Sequence, residues 1–259
     1  MDRWCYRTAE TRTQPGDFTE ARLLTRAGEP VDSEARFTFE LSTRVLARYE
    51  SVPVPTLLSL EQVQLESPSR TKHFYRRLFD GQGAHTPEFV TWASESLVVW
   101  MEQTLENNLH VRGGDPHNSD PAFDALGIFT DESDVVRMRL IQVKATESQL
   151  QSNCAAAVVK FGRLVKGDYD SELTAKLQLL EEAGNLPPGV SARELMYDPE
   201  RRYRTSVLHA EDRDSIALMT RYDQYVPGAI WRRSARFVPL KSWDSFWEKL
   251  AEVAYAQLA

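Results

Sequence analysis

A chain of 259 residues that is 42% hydrophobic and 27% charged has the composition of a globular protein with a substantial core. Its formal charge of −7 argues against non-specific attraction of the whole surface to nucleic acid. No apolar run approaches the roughly 20 residues of a membrane helix, and the polar N-terminus does not resemble a signal peptide, so we expect a cytoplasmic protein with no membrane partner.

The first 85 residues are the least regular part of the sequence. The pattern predicts a strand at 37–41 and a helix at 70–79, and Pro53 and Pro55 break the segment between them. We interpret residues 1–85 as an N-terminal elaboration on a domain that spans residues 86–259.

A long helix should open that domain. Thr86 and Pro87 form a helix start, and apolar residues at helical spacing predict that the helix runs to about residue 107. A turn-rich loop follows at 111–122.

Two strands, at 123–130 and 135–145, come next and are joined by an acidic turn, which predicts a hairpin. Small and apolar residues then predict a helix at 148–164, in which Cys154 is a packing residue. Cys154 and Cys5 are far apart and show no metal-ligand spacing, so both are expected to be reduced thiols.

The remaining elements complete an α/β pattern. We predict a helix at 168–182, a strand at 203–209 that joins the sheet, and a further strand at 230–238. Ser242 is a candidate N-cap for a final helix with one apolar stripe, which serves as packing or as a docking face for a partner.

Three polar residues stand out within the apolar hairpin. Asp124 lies in the first strand, and Gln142 and Lys144 share one face of the second because strand side chains alternate. Pairing of the strands would bring a carboxylate, an amide oxygen and an ammonium around one pocket. Mg²⁺ needs few protein oxygens when it also binds water and a phosphate, so this set predicts phosphodiester hydrolysis.

These residues resemble the motif of the PD-(D/E)xK nuclease superfamily, over about residues 87–165. Asp124 matches the first acidic position and Lys144 the lysine, whereas Gln142 replaces the usual second acid, as in the Mrr-like restriction branch. The resemblance implies a restriction-endonuclease-like α/β core, with a central mixed sheet flanked by helices and with N- and C-terminal elaborations. It also implies cleavage of DNA with Mg²⁺ or Mn²⁺, with Asp124 and Gln142 as metal ligands and Lys144 as the catalytic lysine.

In such nucleases a glutamate on the first helix often completes the metal site, and Glu95 is the candidate here. Against this role, Glu95 falls on a narrow polar stripe that is typical of a solvated helix edge, together with Glu88, Glu102 and Glu106. Glu147 is an alternative carboxylate or a cap for the next helix.

Other polar residues have a surface interpretation beside a functional one. Asn153 and Lys160 could face the substrate, although a surface lysine is the simpler interpretation of Lys160. Four basic clusters are each interpreted as solvated faces rather than phosphate contacts: 70–77, 160–166, 201–204 and 232–236. The five histidines lack paired spacing, which argues against zinc.

The general layout further resembles the nuclease subunits of Hachiman-type bacterial anti-phage defence systems. That resemblance implies an effector that acts on DNA together with a helicase or other ATPase partner. A nuclease fold that has lost its acid and only binds DNA or a partner protein is the alternative, and Gln142 is the residue that favours it. A structural protein without a site remains a third hypothesis.

Overall fold

The computed structural model describes residues 5–10, 18–22, 33–49, 77–80, 83–105, 108–113, 123–210, 221–240 and 242–257. Seven strands in these ranges form one mixed sheet in the order β2-β1-β7-β6-β5-β4-β3. They are β1 Cys5–Glu10, β2 Phe18–Arg22, β3 Asn108–Gly113, β4 Ala125–Thr130, β5 Val136–Thr146, β6 Arg202–Ala210 and β7 Arg233–Leu240. The neighbours β5, β6 and β7 run parallel, and the other pairs are antiparallel.

The predicted hairpin is present as β4 and β5, with Ala125 opposite Ile141. Its turn is held by Asp131, whose Oδ1 accepts the backbone N–H groups of Ser133 and Val135 at 2.8 and 3.0 Å. The other carboxylate oxygen accepts from Arg137 Nε at 2.9 Å. This hydrogen bond holds the pKa of Asp131 below its ordinary value.

One face of the sheet is covered by three helices: α1 Glu34–Tyr49, α2 Pro87–Leu105 and α7 Trp243–Ala256. Phe37 of α1 stacks on Trp100 of α2 with ring centroids 5.7 Å apart. The strand predicted at 37–41 is therefore wrong. Phe37, Leu41 and Val45 recur every fourth residue and are all buried, so a helix places them on one face.

The opposite face carries α3 Leu150–Lys166, α4 Asp170–Glu182, α5 Ala192–Met196 and α6 Tyr222–Tyr225. Phe161 of α3 stacks on Tyr222 of α6, with ring centroids 5.9 Å apart. Cys154 lies on the buried face of α3 against the sheet, with a free thiol, as predicted, and burial raises its pKa to about 11. With helices on both faces of a mixed sheet, the predicted α/β architecture is confirmed.

The later elements agree with the sequence, apart from their ends. The strand predicted at 230–238 begins only at Arg233, after a 3₁₀ turn over Ile230–Arg232. Ser242 is the N-cap residue of α7, as predicted, and its carbonyl accepts from Phe246 N at 2.9 Å. Its φ is 51°, however, and its side chain makes no capping hydrogen bond.

Residues on both sides of position 85 share the sheet, since β1 joins it through β7. Most of the helix predicted at 70–79 and most of the loop predicted at 111–122 lie outside the described residues, and 111–113 belong to β3. Across the ranges described above, no helix combines the length and apolarity needed to cross a membrane.

Candidate functional site

A cleft of about 610 Å³ lies at the carboxyl end of β5, between α2 and the first turn of α3. The carboxyl ends of parallel strands are the usual ligand-binding edge of an α/β sheet. The residues that line it come from four separate segments: His85; Pro87, Val90, Thr91, Ser94 and Glu95 of α2; Val143, Lys144 and Ala145 of β5; and Asn153 of α3.

Lys144 enters the cleft from the last residues of β5. That strand is paired on both sides, antiparallel to β4 and parallel to β6, where Lys144 lies opposite Val207. Ile141 and Val143 pack towards α2 and Leu140 packs on the other face, as the alternation predicted. The two neighbouring strands hold the backbone of Lys144 in place, and its side chain is half-buried.

Asp124 is held against β5 immediately behind the cleft. Its backbone N–H donates to Ile141 O at 2.9 Å, and its Oδ2 accepts from Val143 N at 2.6 Å. Only 6% of the residue is exposed. Asp124 is thus bonded to Val143, a residue of the cleft wall, but is not itself among the residues that line the cleft.

The hairpin brings Asp124 to the part of β5 that holds Gln142, as the sequence predicted, because Asp124 hydrogen-bonds to Ile141 and Val143 on either side of Gln142. Gln142 is completely buried and lies opposite Thr205 of β6. It is not among the residues that line the cleft, so its role as a second metal ligand stays a prediction.

Glu95 reaches the cleft from α2 and is half-buried there, close to the Lys144 wall. The interpretation of its helix face as a solvated edge is wrong. Glu88 of that face pairs with Arg77, and Glu102, seven residues beyond Glu95, is completely buried. Glu106 lies outside the described residues.

Glu102 is surrounded by arginines from three adjacent strands. Its Oε2 accepts from Arg139 of β5 at 3.3 Å, and its Oε1 accepts from Arg204 of β6 at 2.8 Å and from Arg236 of β7. Arg204 Nε also donates to Ser234 Oγ at 3.0 Å. For Arg204 and Arg236, the prediction of solvated basic clusters is therefore wrong. Leu208 of β6 and Val238 of β7 pack on the α2 side and share the strand alternation of Arg204 and Arg236, so periodicity carried a signal of this burial.

Two further polar residues line the cleft. The sequence predicted one of them, Asn153, as a candidate to face the substrate and did not single out the other, His85. Asn153 lies in it, in the first helical turn of α3, whereas Lys160 and Glu147 are not among its lining residues. His85 was set aside for lack of paired spacing. A β-bridge between Phe79 and His85 brings it to the cleft, and no local pattern predicts such a bridge.

The cleft offers few ligands for the magnesium or manganese ion that the sequence predicted. Within the part of the chain that the structure describes, no group of three or more His, Cys, Asp or Glu side chains is placed to hold a metal. Glu95 lines the cleft, and Asp124 is hydrogen-bonded to Val143 of its wall. Mg²⁺ is commonly bound through one or two carboxylates plus waters and substrate phosphate, so a metal held by these two residues stays a prediction.

The chain was also compared with models of protein families, with curated proteins and with solved structures. None of the three comparisons gives a match. Its chemistry is therefore inferred from the cleft and its neighbouring residues.

Proposed function

We propose that this protein is a metal-dependent nuclease that hydrolyses DNA phosphodiester bonds in the cleft at the end of β5. One observation carries the proposal: Lys144 and Glu95, from a strand and a helix far apart in sequence, line the same cleft with Asp124 behind its wall. Carboxylates can hold a metal ion that activates water and polarises a phosphate, and an ammonium beside them can offset the charge that develops.

Each group has a distinct task. Glu95 and Asp124, with Gln142 as the further oxygen ligand, would hold Mg²⁺ or Mn²⁺, which supplies positive charge for the phosphate and a more acidic bound water. The Lys144 ammonium orients the attacking water and offsets charge on the non-bridging phosphate oxygens. The side-chain amide of Asn153 would donate an N–H hydrogen bond to a phosphate oxygen from the α3 side of the cleft.

The Asp124 carboxylate is fixed before substrate arrives. A 2.6 Å hydrogen bond from Val143 N holds Oδ2 in place. Since Val143 stands between Gln142 and Lys144, this bond sets the distance of Asp124 from both. Such preorganisation is what electrostatic catalysis needs.

The direct test is cleavage of plasmid and of single-stranded DNA by pure protein, with Mg²⁺, with Mn²⁺ or with EDTA. Lys144→Ala and Glu95→Gln should each reduce the cleavage rate by about 100-fold or more. Lys160→Ala is the matched control, because Lys160 is a lysine of the same region that does not line the cleft. It should stay within about twofold of the parent. Undiminished cleavage by both cleft variants would refute the assignment.

We further propose that the nuclease acts with a helicase in bacterial anti-phage defence. The charge of −7 supports a partner, since the protein has little general attraction for DNA and gains from delivery to it. Phage protection in cells that carry this gene and a neighbouring helicase gene should disappear with Lys144→Ala. Protection that survives this change would contradict the effector role.

A non-catalytic DNA-binding or partner-binding module is the second candidate. Gln142 supports it, because an amide stands where the resembled family has an acid and is completely buried. This candidate predicts that the parent protein binds DNA in a salt-dependent way and does not cleave it with any metal. The Gln142→Glu variant should then gain metal-dependent cleavage that the parent lacks.

A further inference from the structure

The lining of the cleft is mixed in chemistry. Lys144, Glu95 and Asn153 supply charged and polar groups. Pro87, Val90, Val143 and Ala145 supply an apolar wall. A metal and a phosphate use only the polar groups, so the apolar wall calls for a second, uncharged part of the ligand.

His85 adds an aromatic ring to that wall. Its backbone is tied to Phe79 by a β-bridge, and the next residue, Thr86, donates its N–H to Leu78 O at 2.9 Å. The imidazole lies 6.1 Å from the Phe89 ring, between centroids, and is half-buried. A ring held in this way presents a face on which a nucleobase can stack.

A second cleft of about 450 Å³ adjoins the first at His85, which lines both. Its walls carry Glu248 and Glu252 of α7 together with Tyr255. Two carboxylates repel a phosphate backbone. The phosphates of a bound strand are therefore directed to the Lys144 side of His85, and a base to the imidazole.

We propose that the cleft binds an unpaired nucleotide of single-stranded DNA, with its base on His85 and its phosphate at Lys144. The proposal rests on the proposed function in taking the ligand to be a nucleic acid. A volume of about 610 Å³ is in the range of sites for small molecules, which is about 300–1,000 Å³, and it has room for one nucleotide of a strand.

A duplex makes poor use of the same cleft. Its base faces are stacked on one another, and only base edges and the sugar-phosphate backbone meet a protein. The apolar wall and the His85 ring would then contact no base. A base that is unstacked, by contrast, can enter beside its own phosphate, and this arrangement is typical of single-strand recognition.

The test measures binding by the parent protein in EDTA, using fluorescence anisotropy. The probes are a labelled oligothymidine, an abasic oligomer with the same number of phosphates, and a duplex of equal length. We expect the oligothymidine to bind about tenfold more tightly than either of the others, because one stacked base contributes about that factor.

Two variants separate stacking from charge. His85→Ala should remove the tenfold preference for the oligomer that carries bases, whereas His85→Phe, which keeps a ring, should retain it. Thermal melts of both variants establish that they are folded. Equal binding of the duplex, equal binding of the abasic oligomer, or an unchanged preference in a folded His85→Ala variant would each overturn the proposal.

Cleavage by the parent with Mg²⁺ or Mn²⁺ distinguishes this proposal from the nuclease itself. Cleavage of duplex DNA without cleavage of single strands would refute the single-strand assignment and leave the nuclease function intact. Base-dependent binding through His85 with no cleavage under any metal would refute the nuclease function and support the binding assignment.

Discussion

Replacement of Glu102 by glutamine should destabilise the protein more than any other single change on α2 that keeps the side chain's shape. The carboxylate is completely buried and accepts hydrogen bonds from three arginines, two of them at 2.8 and 3.3 Å. A neutral amide keeps the volume but supplies no charge, and its NH₂ group faces cationic donors. The arginines are then left close together without this carboxylate.

The size of the effect follows from the burial. Removal of one partner from a buried ion pair costs about 3–5 kcal/mol. At the usual entropy of unfolding per residue, a chain of 259 residues unfolds with about 0.5 kcal/mol/K, so the loss corresponds to a Tm lower by about 6–9 °C.

Urea unfolding followed by tryptophan fluorescence measures this loss directly. Glu248→Gln on the exposed side of α7 is the control and should change the free energy of unfolding by at most about 0.5 kcal/mol. Glu95→Gln, on α2 itself, should abolish cleavage while changing stability little. A Glu102→Gln variant as stable as the control would refute the view that this cluster anchors α2.

Three further predictions concern single residues. Asp124→Ala leaves the buried Val143 N–H without its acceptor and should lower the free energy of unfolding by about 1–3 kcal/mol. Asp124→Asn keeps an oxygen at this position and should cost less. Equal stability of the two variants would contradict this prediction. Burial raises the pKa of Cys154 from 9.0 to about 11. Alkylation of this thiol by iodoacetamide at pH 8 should therefore be about 100-fold slower in native than in unfolded protein. Equal rates measured by mass spectrometry would refute this prediction. The hydrogen bond from Arg137 lowers the pKa of Asp131 below 3.8. The stability advantage of the parent over the Asp131→Asn variant should therefore be full above pH 3.8 and decline as the pH falls further. An advantage that does not change with pH in acid would contradict this prediction.

Local patterns were sufficient for the central part of the fold. The alternation around Gln142 and Lys144 and the acidic turn between the strands predicted the β4–β5 hairpin, in which Asp124 bonds to Ile141 and Val143 of β5. Helix start signals at Thr86 and Pro87 predicted α2 within two residues of its observed end. Such features depend on residues that are close together in the chain, so one sequence is enough to predict them.

Features that depend on distant residues were missed. A helical wheel showed Glu102 on a polar stripe, but its burial depends on three arginines that arrive from other strands. His85 reaches the cleft through a bridge to Phe79. The strand expected at 37–41 is part of a helix, and Val45, which continues the spacing of four from Phe37 to Leu41, lies beyond the short run that suggested a strand.

The buried cluster around Glu102 also bears on when the fold is completed during synthesis. The arginine partners follow Glu102 by 37, 102 and 134 residues, so the last of them emerges from the ribosome long after α2. Contacts of such sequence separation form late in folding. A nascent chain that ends before β7 has α2 but lacks Arg236, so the carboxylate of Glu102 gains its full set of partners only when most of the chain has been made.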